Sequence, residues 1–114
     1  MALGMIEVYG FATSIVVADA AAKAGNVKIV AIENNKPAPA VVDTVAVPLV
    51  MCVRLEGDVA AVEAAVEAGS AAAKQRDLYI TSHVISRAES DTNKLAYKNT
   101  LGRDKLYKHN KETK

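Results

Sequence analysis

Two alanine-rich helical segments, each set between short apolar runs of β character, constrain the fold of this chain more than any other feature. Leu3–Tyr9 reads as a strand, with Ile6 and Val8 on one face and Met5, Glu7 and Tyr9 on the other. Gly10 breaks it. Thr13 or Ser14 is placed to cap a helix running through Ala24, which stops at Gly25-Asn26. The short, β-branched run Val27–Ile32 is a second strand, and Leu49–Leu55 is a third that ends at Glu56-Gly57. Asp58 is an N-cap residue for a helix reaching about Gln75. On that helix Val59, Val62, Val66, Gly69 and Ala73 share one face, and Glu63, Glu67, Ser70 and Lys74 share the other. Leu78–Ile85 completes the pattern as a fourth strand.

Strand, helix, strand, strand, helix, strand is the order of an α+β, ferredoxin-like fold, an antiparallel sheet with two helices on one face. Many unrelated functions use that fold, so function has to come from other features. The interior available to it is built from small groups. Of 114 residues, 21 are Ala and 15 are Val, and only four Tyr and one Phe are aromatic. A buried methylene contributes only about 0.8 kcal/mol, so such a domain gains from covering further surface against copies of itself.

Two segments stand outside the compact pattern. Glu33–Pro48, ENNKPAPAVVDTVAVP, holds all three prolines yet is mostly apolar, and it is longer than most connections. From Lys94 onward the chain carries seven basic and two acidic side chains, a net charge of +5 in an otherwise acidic protein. The expected organisation is therefore a domain over 1–93, with 33–48 as an inserted loop, and a basic tail over 94–114.

Catalytic chemistry finds no support. His83 and His109 are far apart, and no His or Cys pair has metal-ligand spacing. No glycine-rich phosphate loop is present. His83 reads as a hydrogen-bonded strand residue, and Cys52, within an apolar strand, as an inert small hydrophobe. Tyr97 and Tyr107 interleave with lysines as a nucleic-acid surface would, but a solvated helix explains the same spacing. Asp19 and Lys23 form an ordinary i,i+4 pair on residue spacing alone. A net charge of +1, a single cysteine, and an N-terminus without a basic segment followed by an apolar run fit a soluble, cytoplasmic protein. Val41–Val53 is too short to span a bilayer.

Four stretches in order, ALGMIE at 2–7, ADAAAKAGNVKIV at 18–30, GDVAAVEAAVEAGSAAA at 57–73 and SHVISR at 82–87, together resemble the hexamer-forming shell proteins of bacterial microcompartments. The resemblance implies a structural role without catalysis, cofactor or metal. Six copies would surround a central pore, and hexamers would tile into a shell within the cytoplasm. The implied partners are the chain itself as a homohexamer, other shell proteins and the enclosed enzymes, with no nucleic acid and no membrane. In that family the lysine ending the first helix and the arginine closing the fourth-strand motif lie at the hexamer edge, positions matched here by Lys23 and Arg87.

The family's pore loop is short and glycine-rich. The corresponding segment here has no glycine and contains Glu33, Asn34, Asn35, Lys36, Pro37, Asp43 and Pro48. Its prolines and valines lead to the expectation of a raised or folded-over collar with Asp43 at a wet rim. Some relatives hold an iron–sulfur cluster through a pore-loop cysteine, whereas Cys52 lies beyond this loop. The alternative reading is a ferredoxin-like oligomeric regulatory protein that binds a small effector.

Overall fold

The computed structural model describes residues 1–97. Strand β1 (Ala2–Tyr9) leads into α1 (Phe11–Ala24), then β2 (Lys28–Asn35), β3 (Val50–Gly57), α2 (Val59–Gln75), β4 (Tyr79–Ile85) and a short α3 (Ser90–Ala96). The sheet order is β2-β3-β1-β4, and every neighbouring pair is antiparallel. This is the ferredoxin-like arrangement that the order of elements requires, and α3 is added to it.

Period-two burial makes the two sheet faces different. Ile6 and Val8 of β1 and Met51, Val53 and Leu55 of β3 are buried under the helices, together with Val17 and Ala21 of α1 and Val62, Ala65 and Ala73 of α2. The alternate residues, Met5, Glu7, Cys52 and Arg54, face away from α1 and α2. On that second face Leu3 is buried nonetheless, in a separate packing group beneath α3 with Ile85, Leu95 and Ala96 around it. Full burial of one leucine is worth about 1.5–3 kcal/mol, one contribution toward holding a helix too short to form alone.

Several boundaries differ from the expectation. Neither Thr13 nor Ser14 caps α1. The helix begins at Phe11, Gly10 is its N-cap at φ 94°, and the Ser14 hydroxyl donates inside the first turn to the Phe11 carbonyl at 2.6 Å. Gly10 supplies a left-handed turn that a side chain would strain, so the backbone starts the helix without a polar cap. On α2 the buried stripe is Val62, Ala65, Val66, Gly69, Ser70 and Ala73, which moves Ser70 inward, while Val59 in the first turn stays exposed. Asp58 is the N-cap as read, but its carboxylate accepts no hydrogen bond there. The helix ends in a Schellman motif with Asp77 at φ 58°, whose N–H donates to the Lys74 carbonyl while that of Leu78 donates to Ala73.

β2 continues to Asn35, three residues beyond the strand expected, so Glu33, Asn34 and Asn35 are strand residues and the connection proper begins at Lys36. The division at 93/94 falls inside α3, whose Ala96 is buried. Residues 98–114 of the basic segment, Tyr107 and His109 among them, lie outside the described residues.

A close backbone approach fixes the spacing of the helices. A Cβ on Gly25 would lie 2.4 Å from the carbonyl oxygen of Ala61 in α2, a backbone atom that cannot rotate away. Gly25→Ala is expected to destabilise the fold by about 1–3 kcal/mol, the usual range for overpacking, in urea unfolding. A change within about 0.5 kcal/mol would show that the contact yields freely.

Candidate assembly edge and pore-loop site

The topology sends the candidate residues to opposite ends of one sheet. Ala2 pairs with Gly57, Leu3 with Ile85, and Gly25 abuts Ala61, so the end of α1, the start of α2 and the end of β4 gather at one end. Lys23 lies in the last turn of α1, and Arg87, exposed, follows β4 by two residues, both at this end. At the other end Tyr9 pairs with Val50, its N–H donates to the Leu78 carbonyl, and the β2–β3 connection emerges. Eight-residue strands separate the two ends by roughly 25 Å.

Lys23 forms an ion pair with Asp19 at 2.7 Å, and both side chains are mostly exposed. Such an i,i+4 pair is worth about 0.2–0.5 kcal/mol and leaves the ammonium group readily available to another partner.

The connection from Lys36 to Leu49 is not extended. Asn35 Oδ1 accepts from the Lys36 N–H at 2.8 Å as the strand ends. Pro39–Val41 form one 3-10 turn, closed by Val41 N–H to the Ala38 carbonyl, and Thr44 donates to the Val41 carbonyl from both N–H and hydroxyl. The segment then returns across its own subunit. The Gly10 N–H donates to the Leu49 carbonyl at 2.7 Å, and Val47 packs beside Gly10. Thr44, Val45 and Ala46 border a cleft of about 350 Å³ with Tyr9, Arg76, Asp77 and Leu78. Pro37 is half-buried, while Asp43 and Pro48 are exposed, as are the large apolar side chains of Val42 and Val47.

The sheet face away from α1 and α2 carries a polar row that sequence reasoning did not single out. Glu33, Cys52, Glu7 and Thr81 are register partners across all four strands. Two adjoining hollows, about 400 and 280 Å³, share Met5, Glu7 and Cys52. Arg54 lies beside this row, and its guanidinium pairs with Glu33 and donates to the Leu95 carbonyl of α3 at 3.1 Å. The available signal was a charged residue inside the alternating run Val53-Arg54-Leu55, which needs a partner on the face it shares with Glu33.

His83 is exposed on β4 opposite Met5, and no side-chain hydrogen bond of it is seen among the described residues. No three of His, Cys, Asp and Glu come together as a metal site among the described residues. No helix among them is long and apolar enough to cross a membrane.

Burial pushes the Cys52 thiol up to about 11, with Glu7 and Glu33 adding to the rise and Arg54 opposing it. A thiol is nucleophilic as thiolate, so the native protein should alkylate slowly at pH 8 and accelerate only as pH approaches 11. Rapid, stoichiometric labelling of the native protein at pH 8 would contradict that assignment.

Comparison with known proteins agrees with the geometry. A family model described as the BMC domain matches residues 2–88. The shell protein PduA of Citrobacter freundii is 37% identical over 94 residues, covering 82% of this chain and 89% of that protein. The shell protein EutK of Salmonella typhimurium is 40% identical over 91 residues, covering 80% of this chain and 49% of EutK. A crystallised microcompartment protein from Desulfitobacterium hafniense superposes with a TM-score of 0.66 at 34% identity, covering 82% of this chain and 47% of that one. The chain thus spans about half the length of the latter two and most of PduA. It belongs to the BMC-domain family of bacterial microcompartment shell proteins.

Proposed function

We propose that this chain is a structural tile of a microcompartment shell in the cytoplasm. It assembles as a homohexamer around a central pore and joins neighbouring hexamers through Lys23 and Arg87. The observation that carries the reading is the placement of Lys23 and Arg87 at one end of the sheet and of the β2–β3 loop at the other. A wedge that turns one end to a six-fold axis presents the other end at the rim. Where two rims meet on a two-fold axis, each residue approaches its own copy. Two Lys23 ammonium groups would repel, so each stem lies along the neighbour and each head seeks carbonyl oxygens. Giving up the exposed Asp19 pair costs little, and contacts that are weak singly add over a lattice.

At the axis, Lys36–Leu49 serves as a folded collar. Pro37, Pro39 and Pro48 remove backbone donors, so the loop cannot present the ring of amides that a glycine loop would. Val42 and Val47, exposed in one subunit, gain cover from symmetry copies, and exposed Asp43 stays at the hydrated rim. The tile also associates with other shell proteins and encloses enzymes, and no catalytic step is assigned to it.

Lys23→Ala should leave a folded hexamer with near-normal melting and remove extended sheets in electron micrographs. Sheets formed as readily as by the parent would overturn the edge assignment. Replacing residues 36–47 with a short glycine turn should keep the hexamer and change the passage of small molecules into reconstituted shells. Unchanged permeability would remove the collar from the pore.

A further inference from the structure

α3 runs across the strands and not along them. After β4 it starts at Ser90, with the Glu89 carboxylate accepting from the Asp91 N–H at 3.1 Å, and it passes over Ile85, Leu3 and Met5. Beyond its C-terminus, Tyr97 donates its hydroxyl proton to Glu56 of β3, and the ammonium of Lys28 in β2 lies 5.3 Å from the Tyr97 ring centre. Ile85, Leu3, Glu56 and Lys28 form a single register row from one sheet edge to the other. Three inter-strand steps cover about 14 Å. Seven helical residues at about 1.5 Å each, extended by the Tyr97 side chain, match that width. α3 and Tyr97 together form a crossbar that reaches from β4 to β2 at the end that holds Lys23 and Arg87.

A helix this short does not hold itself in place, and the contact that fixes its C-terminus comes from Arg54. The Arg54 side chain is almost covered, at 12% exposure. One of its guanidinium nitrogens donates to the Leu95 carbonyl and the other pairs with Glu33, three residues before the loop begins. The Leu95 carbonyl already accepts the Tyr97 N–H, and a cation there adds a second donor and opposes the helix dipole. The planar fork of arginine can serve two partners in different directions, which a lysine head cannot do in the same geometry.

We propose that Arg54 is the positioning residue that locks α3 across the open sheet face, and that this lock fixes where the basic C-terminal segment leaves the tile. That point, Tyr97, is beside Lys28 and Glu56 at the end of Lys23 and Arg87 and away from the loop. Seventeen residues with six basic and two acidic side chains follow it. The lock itself is a property of one subunit.

Hydrogen exchange on full-length Arg54→Met, compared with the parent in the same assembly state, tests the lock. Amides of residues 93–97 should exchange at least about tenfold faster while β1 and α1 keep their protection, and trypsin should cleave sooner after Lys94. Unchanged exchange in α3 would overturn the proposal. So would equal acceleration of α3 and β1, because Arg54 would then serve the whole fold. If Arg54→Met does not fold, Arg54→Lys carries the test: it should keep protection in β1 and show exchange in α3 at least about threefold faster, and parental exchange there overturns the proposal. Lys23→Ala should leave the exchange of α3 at the parental rate, so a failed edge assignment and a failed lock give separate readouts.

Discussion

Close approach between α2 and the sheet is the constraint on which the rest of the structure depends. A side chain on Gly4 of β1 would stand 2.7–2.9 Å from Val66, Leu55 and Val62, and one on Gly69 of α2 would stand 2.7 Å from Ile6. These two glycines let a helix of Ala and Val settle directly on β1. Dispersion falls steeply with separation, so an interior of small groups is effective only when backbones come this near. Gly25 against Ala61 extends the same spacing to the pair of helices. The alanine count and the absence of large core aromatics are therefore properties of a thin, two-layer subunit.

A thin subunit with both helices on one side leaves its other sheet face to be covered by something else. α3 covers the Leu3 end of that face, while Met5, Glu7 and Cys52 line hollows nearer the loop. The open part of the face is mixed, with Glu7 and Thr81 beside Met5 and Cys52, and the part under α3 is mainly apolar. That division explains why one charged residue, Arg54, can sit between the two regions almost covered by protein. Its charge is matched by Glu33 and a second guanidinium nitrogen reaches a helix end, which offsets part of the desolvation that an isolated buried cation would suffer.

The main framework was legible in the sequence because its signals are local. Alternation in β1 and β3, the stop at Gly25-Asn26 and the Asp58 start of α2 each depend on a few neighbouring residues, and the strand order follows from the helical connections. The misreadings arose where tertiary contact overrides local preference. Thr13 and Ser14 look like caps, yet the turn at Gly10, held by the Leu49 carbonyl from a distant segment, starts the helix earlier. Ser70 looks like a surface residue, but the inward stripe of α2 is wide enough to enclose it. Glu33–Asn35 look like loop residues because they are polar, although β3 offers them partners at Cys52, Met51 and Val50. α3 was the least legible. Its seven residues are polar apart from Leu95 and Ala96, and its reason to be helical is the ledge formed by Leu3, Ile85 and Arg54, which are distant in sequence.

The same connectivity separates the end that holds Lys23 and Arg87 from the end that holds the β2–β3 connection. In a β-α-β-β-α-β chain the first helix must run back along β1, so its C-terminus returns to the end where β1 began. The fourth strand, antiparallel to β1, finishes at that end too. The β2–β3 hairpin must then turn at the opposite end. Lys23 and Arg87 are thus brought together by topology, independently of how long the hairpin connection is. A connection can lengthen from a tight turn to the Lys36–Leu49 segment at little entropic cost, because closure entropy grows only slowly with length. The added residues here fold on themselves and on Tyr9, Gly10 and Leu78, and they disturb neither the register of β2 with β3 nor the contact of Gly25 with Ala61. The two ends of the sheet can in this way vary independently within a single small domain.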